Sequence, residues 1–457
     1  MQMPLVRCYK AGMSDTKASS NTAAASPLWA YDAMDVDDSL MRYSAQEDAV
    51  LDNQLLPYDI QASIAHVNGL FDIDILDDDE QKTLVNALTQ LKEEAEDGRF
   101  VTDASDEDGH AAIERVLIDR VGDVGKKVHT GRSRNDQVLV ASRLWLKAKT
   151  QQLTTLLLDA ADVALQQADA TRDVVMPGYT HLQRAVPSTA GFWFAGHAES
   201  LLEDARALQG ALEVIDSSPL GTAAGYGVNL PLSRDACKEE LGFARLQVNG
   251  IAAQNSRGKF ESHVVGCLLL AMNTARRIAW DVSLFSTAEF AMVQQPTRWT
   301  TGSSIMPNKR NPDIAELLRG AFGEVQGAHV ELLSVLGLPS GYQRDLQRTK
   351  KPLMRAVDAS FASLSLLPRF LQELTFDDDN CLRCLDAAML ATDQAVQLAV
   401  EGVPFREAYR RIKDAGADAS LDVAQAAKDS IVARVSPGAP GDLQLQLLRE
   451  QLTTLRG

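Results

Sequence analysis

From Arg132 to Met176 the chain holds no glycine and no proline, and its apolar residues return at helical intervals. Leu146, Leu153, Leu157, Ala160 and Ala164 follow at steps of seven, four, three and four, the buried stripe of one long helix. A second stretch repeats more regularly: Val264, Leu268, Ala271, Ala275, Ile278, Val282 and Phe285 alternate steps of four and three. Heptad-like spacing in helices beyond about 25 residues predicts a bundle or coiled coil. Residues 187–215, 312–336 and 352–374 add helical segments between Pro and Gly breaks, with Pro187 and Pro312 placed as helix starters. Strand signals are short β-branched runs near 174–176 and 246–251. The expected fold is therefore mainly all-α, in three parts: an N-terminal helical domain over 27–130, a central long-helix bundle over 131–378, and a C-terminal helical domain over 379–457. Long helices with Ala-rich stripes pack against copies of themselves, so an oligomer is expected.

Composition trims the possibilities. Residues 11–26 are mostly Ala, Ser, Thr and Asn without apolar periodicity, so 1–26 reads as a disordered tail, with Met13 as an alternative start. The opening has no continuous apolar core before its lysines, which argues against a secretory signal. Hydrophobic content of 45% over 457 residues supports a large core. A net charge of −17 argues against nucleic acid as a partner and means that any anionic ligand must be held by a local basic cluster. Five cysteines, an odd number, fit reduced thiols in a cytoplasm, with Cys381 and Cys384 as two buried thiols one helical turn apart. No apolar run reaches membrane-spanning length.

Chemistry concentrates in three segments. Residues 302–313 read Gly-Ser-Ser-Ile-Met-Pro-Asn-Lys-Arg-Asn-Pro-Asp, with Glu316 one turn further on. This is a mobile loop carrying hydroxyls, an ammonium and an amide into a helix start, suited to folding over an anionic substrate. Residues 129–137 read His-Thr-Gly-Arg-Ser-Arg-Asn-Asp-Gln at the head of the long glycine-free helix. Ser133, Asn135 and the free N–H groups there make a carboxylate site, and Arg132 and Arg134 add positive charge. Residues 178–184 read Gly-Tyr-Thr-His-Leu-Gln-Arg. His66, His197, His263 and His329 read as structural. Gly221-Thr-Ala-Ala-Gly225-Tyr-Gly227 lacks the Gly-Lys-Ser/Thr of a phosphate loop and reads as tight turns beside the site. The acidic run 377–379 reads as a solvated helix start. Nothing offers a metal site or an organic cofactor: there is no H-E-x-x-H, no paired C-x-x-C and no Walker lysine.

Gly-Ser-Ser-x-Met-Pro-x-Lys-x-Asn-Pro looks like the signature loop of the fumarase/aspartase superfamily. With the other two segments it resembles the argininosuccinate lyase family more than fumarase, aspartase or adenylosuccinate lyase, over residues 44 to 406. The resemblance implies a cofactor-free, reversible elimination giving fumarate and L-arginine in arginine biosynthesis, in a cytoplasmic homotetramer whose sites each draw on three subunits. It matches Ser303 to the proton-abstracting base and His181 to the group protonating the leaving nitrogen. Glu316 matches the carboxylate paired with that histidine, and Lys309 and Asn311 match groups holding the substrate carboxylate. Thr180, Ser133 and Asn135 match further succinyl-binding positions, beside Arg134. Tyr342, Gln347 and Lys350 match residues gripping the rest of the substrate, with Arg257 and His110 as further matches. The chain departs from the family at Asn308 and Arg310, where Gln and Lys are commoner, and at 221–227, where Gly-Ala-Gly-Ala-Leu-Ala-Gly is common. A lyase for another succinyl substrate, or an inactive crystallin-like structural protein, are the alternatives.

Overall fold

A computed structural model describes residues 43, 47–102, 106–416 and 420–457. The expected tail, residues 1–26, lies outside them. The N-terminal helices are α1 (Leu56–Phe71), α2 (Asp78–Glu96) and α3 (Gly109–Val121), followed by a 3-10 stretch, Gly122–His129. They close over a core of their own that includes Ile60, Leu70, Leu84, Leu88, Leu91 and Leu117.

The long glycine-free run forms α4 (Arg134–Ala170), a single helix of 37 residues. A hairpin of β1 (Val175–Thr180) and β2 (Gln183–Thr189) follows, then α5 (Ala190–Ile215). The expected helix start at Pro187 is corrected here. Pro187 lies in β2 opposite Pro177, and Thr189 caps α5 by accepting the Phe192 N–H. Two prolines fit because each strand of a two-stranded ribbon has a free edge that needs no N–H donor.

Short pieces then lead through β3 (Ser217–Ser218), α6 (Arg234–Glu240), β4 (Arg245–Leu246) and α7 (Gly250–Asn255) to α8 (Lys259–Phe285). All seven residues of the heptad-like stripe in α8 are buried. Next come β5 (Val293–Gln294), β6 (Thr301–Gly302), β7 (Arg310–Asn311), α9 (Asp313–Val335), α10 (Lys350–Gln372), β8 (Thr375–Phe376) and α11 (Asp378–Arg383). Helices α4, α5, α8, α9 and α10 pack into one bundle. Buried alanines such as Ala160, Ala164, Ala205, Ala271 and Ala275 sit in its core.

The remaining helices are α12 (Ala391–Val400), α13 (Phe405–Ala415), α14 (Val423–Ala433) and α15 (Leu445–Arg456). α15 returns to the bundle and lies on α4 and α5, inserting Leu445, Leu448 and Leu452 into the central core. Cys381 and Cys384 are free, buried thiols on and just beyond α11, and Asp377 caps that helix. Among the described residues no helix is long and apolar enough to cross a membrane.

Candidate active site

Chain direction sorts the candidate residues onto two ends of the bundle. At one end lie the C-termini of α4, α8 and α10 and the N-termini of α5 and α9. The β1–β2 hairpin projects there, underpinned by Tyr179 against Phe290, by Arg184 paired with Asp386 at 2.8 Å, and by α11. The β5–β8 pairing ties the segment after α8 to the same end.

Thr180 pairs with Gln183, so His181 and Leu182 are the two central residues of the hairpin turn, at φ 54° and 58°. Two left-handed residues are what a tight two-residue hairpin requires, but the usual occupants are Asn and Gly. Leu182, 74% exposed, gains no burial in return for that backbone, so the turn carries strain and holds His181 in solvent.

The 302–313 segment is also a hairpin, its neck closed by Thr301 with Asn311 and Gly302 with Arg310. Asp313 accepts the Thr301 N–H and hydroxyl at 2.9 and 2.6 Å, and Asn311 donates to the Thr301 hydroxyl. Ser303 Oγ accepts backbone N–H groups from Ile305 and Met306, at 3.3 and 3.0 Å. Lys309 is exposed on the far arm. Glu316, in the first turn of α9, faces Arg319 at 3.6 Å; among the described residues no hydrogen bond joins it to His181.

The opposite end is denser. Ser133 caps α4, accepting the Asn135 N–H at 3.2 Å, while its own N–H donates to Asp136. Arg134 pairs with Glu107 at 2.7 Å and Asp108 at 3.2 Å. Lys350 opens α10 and is buried between Asp48, at 3.0 Å, and Asp52, which also accepts the Gly109 N–H. Arg257 is buried with its guanidinium 5.8 Å from the Tyr342 ring centre. A cleft of about 1670 Å³ opens here, lined by His110, His129, Ser133, Arg134, Gln347 and Arg348 among others. It exceeds the usual span of about 300–1,000 Å³ for a small-molecule pocket.

Charge at this end is set by burial and pairing. Burial works against a charged Lys350, but Asp52 and Asp48 outweigh it and raise its pKa. Burial likewise opposes a charged His110, yet the Asp59 carboxylate against Nδ1 outweighs it and favours the imidazolium. His129 is pushed down to about 4 by burial, with Arg132, His110 and Arg134 adding to the effect, so it stays neutral. Two histidines, one favoured as the cation and one kept neutral, thus share one cleft. His66, read from the sequence as structural, is buried with Nε2 2.8 Å from the Thr130 carbonyl. His129 and Asp136 were not among the sequence candidates. The Ser133-x-x-Asp136 spacing, a capping-box pattern with Asp in the fourth place, is the signal that marks Asp136.

The structure therefore gathers Thr180, His181, Ser303, Lys309, Asn311 and Glu316 at one end. It gathers His110, Ser133, Arg134, Asn135, Arg257, Tyr342, Gln347 and Lys350 at the other. At 1.5 Å per residue, the 23-residue α9 alone separates the two sets by about 34 Å.

Comparison with known proteins gives the family. The family model described as Lyase matches residues 34–327. The argininosuccinate lyase of Stenotrophomonas maltophilia (strain R551-3) is 49% identical over 428 residues, covering 94% of this chain and 99% of its own. That of Xanthomonas oryzae pv. oryzae (strain PXO99A) is 50% identical over 431 residues, with coverage of 94% and 99%. Among solved structures, an EDDS lyase in complex with formate superposes with a TM-score of 0.77 at 24% identity, over 91% of this chain and 90% of that one. A class II fumarase from Schistosoma mansoni gives 0.68 at 18% identity, over 80% and 88%. Those two establish the fold, and the near-full-length relatives establish more: the chain belongs to the argininosuccinate lyase family.

Proposed function

We propose that the chain splits L-argininosuccinate reversibly into fumarate and L-arginine, in the arginine-biosynthetic direction, without metal or organic cofactor. The observation that carries this is identity of 49–50% to proteins named argininosuccinate lyase along 94% of the chain. The three chemistry-bearing segments lie within that length.

Ser303 removes the proton from the carbon beside the succinyl carboxylate. A hydroxyl is a poor base, but its oxygen already receives two backbone N–H groups, and such donors favour the alkoxide. The electron pair left on carbon spreads into the carboxylate, which becomes a dianion. Lys309, Asn311 and the α4 N-terminus with Ser133 and Asn135 hold that charge, each well-placed donor contributing roughly 3 kcal/mol. The carbon–nitrogen bond then breaks with its electrons on nitrogen, and His181 supplies the proton. Glu316 turns from Arg319 to support that imidazole, and Thr180 steadies the succinyl part. Arg134, Arg257, His110, Tyr342, Gln347 and Lys350 position the remainder.

No single copy brings these groups together, which supports a homotetramer with shared sites, built on the 131–378 bundle. Exposed apolar residues on its helices, including Leu270, Trp280, Leu317, Val330 and Leu333, are the surface that such copies would bury. Free Cys237, Cys267, Cys381 and Cys384 suit a reducing cytoplasm. The test is fumarate absorbance on mixing purified protein with argininosuccinate, together with the mass of the assembly. Fumarate from malate, aspartate or adenylosuccinate but not from argininosuccinate would replace the substrate, and none from any of them would leave a crystallin-like role.

A further inference from the structure

Asp136 is fully buried in the first turn of α4 and is used by nothing in the reaction above. One carboxylate oxygen accepts the Ser133 N–H at 3.0 Å. The other accepts the N–H groups of Gly221 and Ala223, at 3.2 and 2.9 Å. A single side chain therefore links the helix start to a loop 85 residues away in sequence.

That loop is held under strain. Gly221, Ala223 and Gly225 all have positive φ, at 80°, 51° and 101°. Ala223 carries a side chain at such a φ, a backbone that persists only where its surroundings fix it. Asp136 takes its N–H and Gln254 donates to its carbonyl at 3.1 Å. Gly250 backs the turn so closely that a Cβ there would lie 2.5 Å from the Gly225 carbonyl. The loop then presents Tyr226, 83% exposed, and lays Val228 beside Gly131, two residues before Ser133.

We infer that Asp136 is a positioning residue: it locks the 221–228 loop against the α4 N-terminus, so that the donors at Ser133 and Asn135 and the wall at Tyr226 face the substrate's succinyl carboxylate as one rigid unit. This rests on the reaction proposed above for its kinetic readout. The groups charged near Asp136 are Arg132 and Arg234, and both keep their charge across the range in which a carboxyl titrates. Burial pushes Asp136 up to about 6, against the pull of Arg132 and the three N–H donors. Below that pH the carboxyl is neutral and grips the loop less firmly.

The test measures kcat and KM from pH 5 to 8 for the wild type, Asp136→Asn and Asp136→Glu, with succinate binding by calorimetry and thermal unfolding alongside. Wild-type KM should climb as pH falls through about 6. Asp136→Asn should raise KM and the succinate Kd about tenfold, the size of one lost charge-assisted hydrogen bond, with kcat within about threefold. The pH-dependent rise should vanish in Asp136→Asn and return in Asp136→Glu. Unchanged KM and succinate affinity, or a loss of kcat that merely follows lost folded protein, would overturn the inference. Where Asp136→Asn does not fold, Gln254→Met loosens the same loop from its other side and should raise KM while keeping the pH rise. A wild type that binds succinate but releases no fumarate from argininosuccinate would sink the proposed reaction alone, and the succinate titrations would still decide Asp136.

Discussion

At the hairpin end His181, Lys309 and Glu316 stand in solvent, on a strained turn, a loop arm and a first helical turn. At the opposite end Lys350, His110 and Arg257 are buried, the first two against carboxylates. The first arrangement leaves its side chains exposed and free to turn. The second fixes charge and geometry in advance, which lowers the cost of gripping a ligand. In the reaction proposed above, the groups that move protons and the groups that grip thus sit on differently built supports.

The contrast can be broken most severely at Ser303. Ser303→Ala should lower fumarate release at least a thousandfold while the unfolding temperature stays within a few degrees, because the hydroxyl's only described bonds are local ones within its loop. An unaffected rate would remove the base assignment. Lys350→Met should behave in the opposite sense, destabilising the fold by about 3–5 kcal/mol in urea titrations, since it strands Asp48 and Asp52 without their cation. Equal stability would mean that the buried triad is not what fixes the gripping end.

His129 sharpens the comparison through pH. Its folded pKa of about 4 lies below the ordinary 6.5, so between those values the unfolded chain takes up a proton that the native chain refuses. Stability from this group is present above pH 6.5 and is lost as pH falls toward 4, by less than about 1.4 kcal/mol per pH unit after solvent screening. His129→Gln should flatten that slope in denaturant titrations at stepped pH. The smallest effect is expected at the hairpin tip. Leu182→Gly relieves left-handed strain of about 1–2 kcal/mol, offset by glycine's freedom when unfolded, for a net gain near 0.5 kcal/mol. Turnover should fall as His181 loosens, and a destabilised protein would show that the turn is not strained.

The helices of the bundle were legible because their stripes are long and regular. Leu146 to Ala164 and Val264 to Phe285 each specify a buried face without help from the rest of the chain. Of the β1–β2 hairpin only the β-branched start near 174–176 was legible, since strands of six and seven residues carrying Pro177 and Pro187 resemble the loop before a helix. The positions of Ser303 and His181 were visible in local motifs, but the partners of polar groups were not. Lys350 meets Asp48 across 302 positions and Asp136 meets Gly221 across 85, and such pairs exist only once topology has folded the chain back. Glu316 beside Arg319 shows the converse, a contact three positions apart that local sequence already provides.

Because α4 runs unbroken for 37 residues, it acts as a ruler. One residue added to its middle would rotate everything beyond by about 100° and advance it by about 1.5 Å. The hairpin and the capped head would each keep their local shape, yet change their bearing on one another. The alignment of the two ends is thus stored in the length of one helix, most of whose course lies in the core between them.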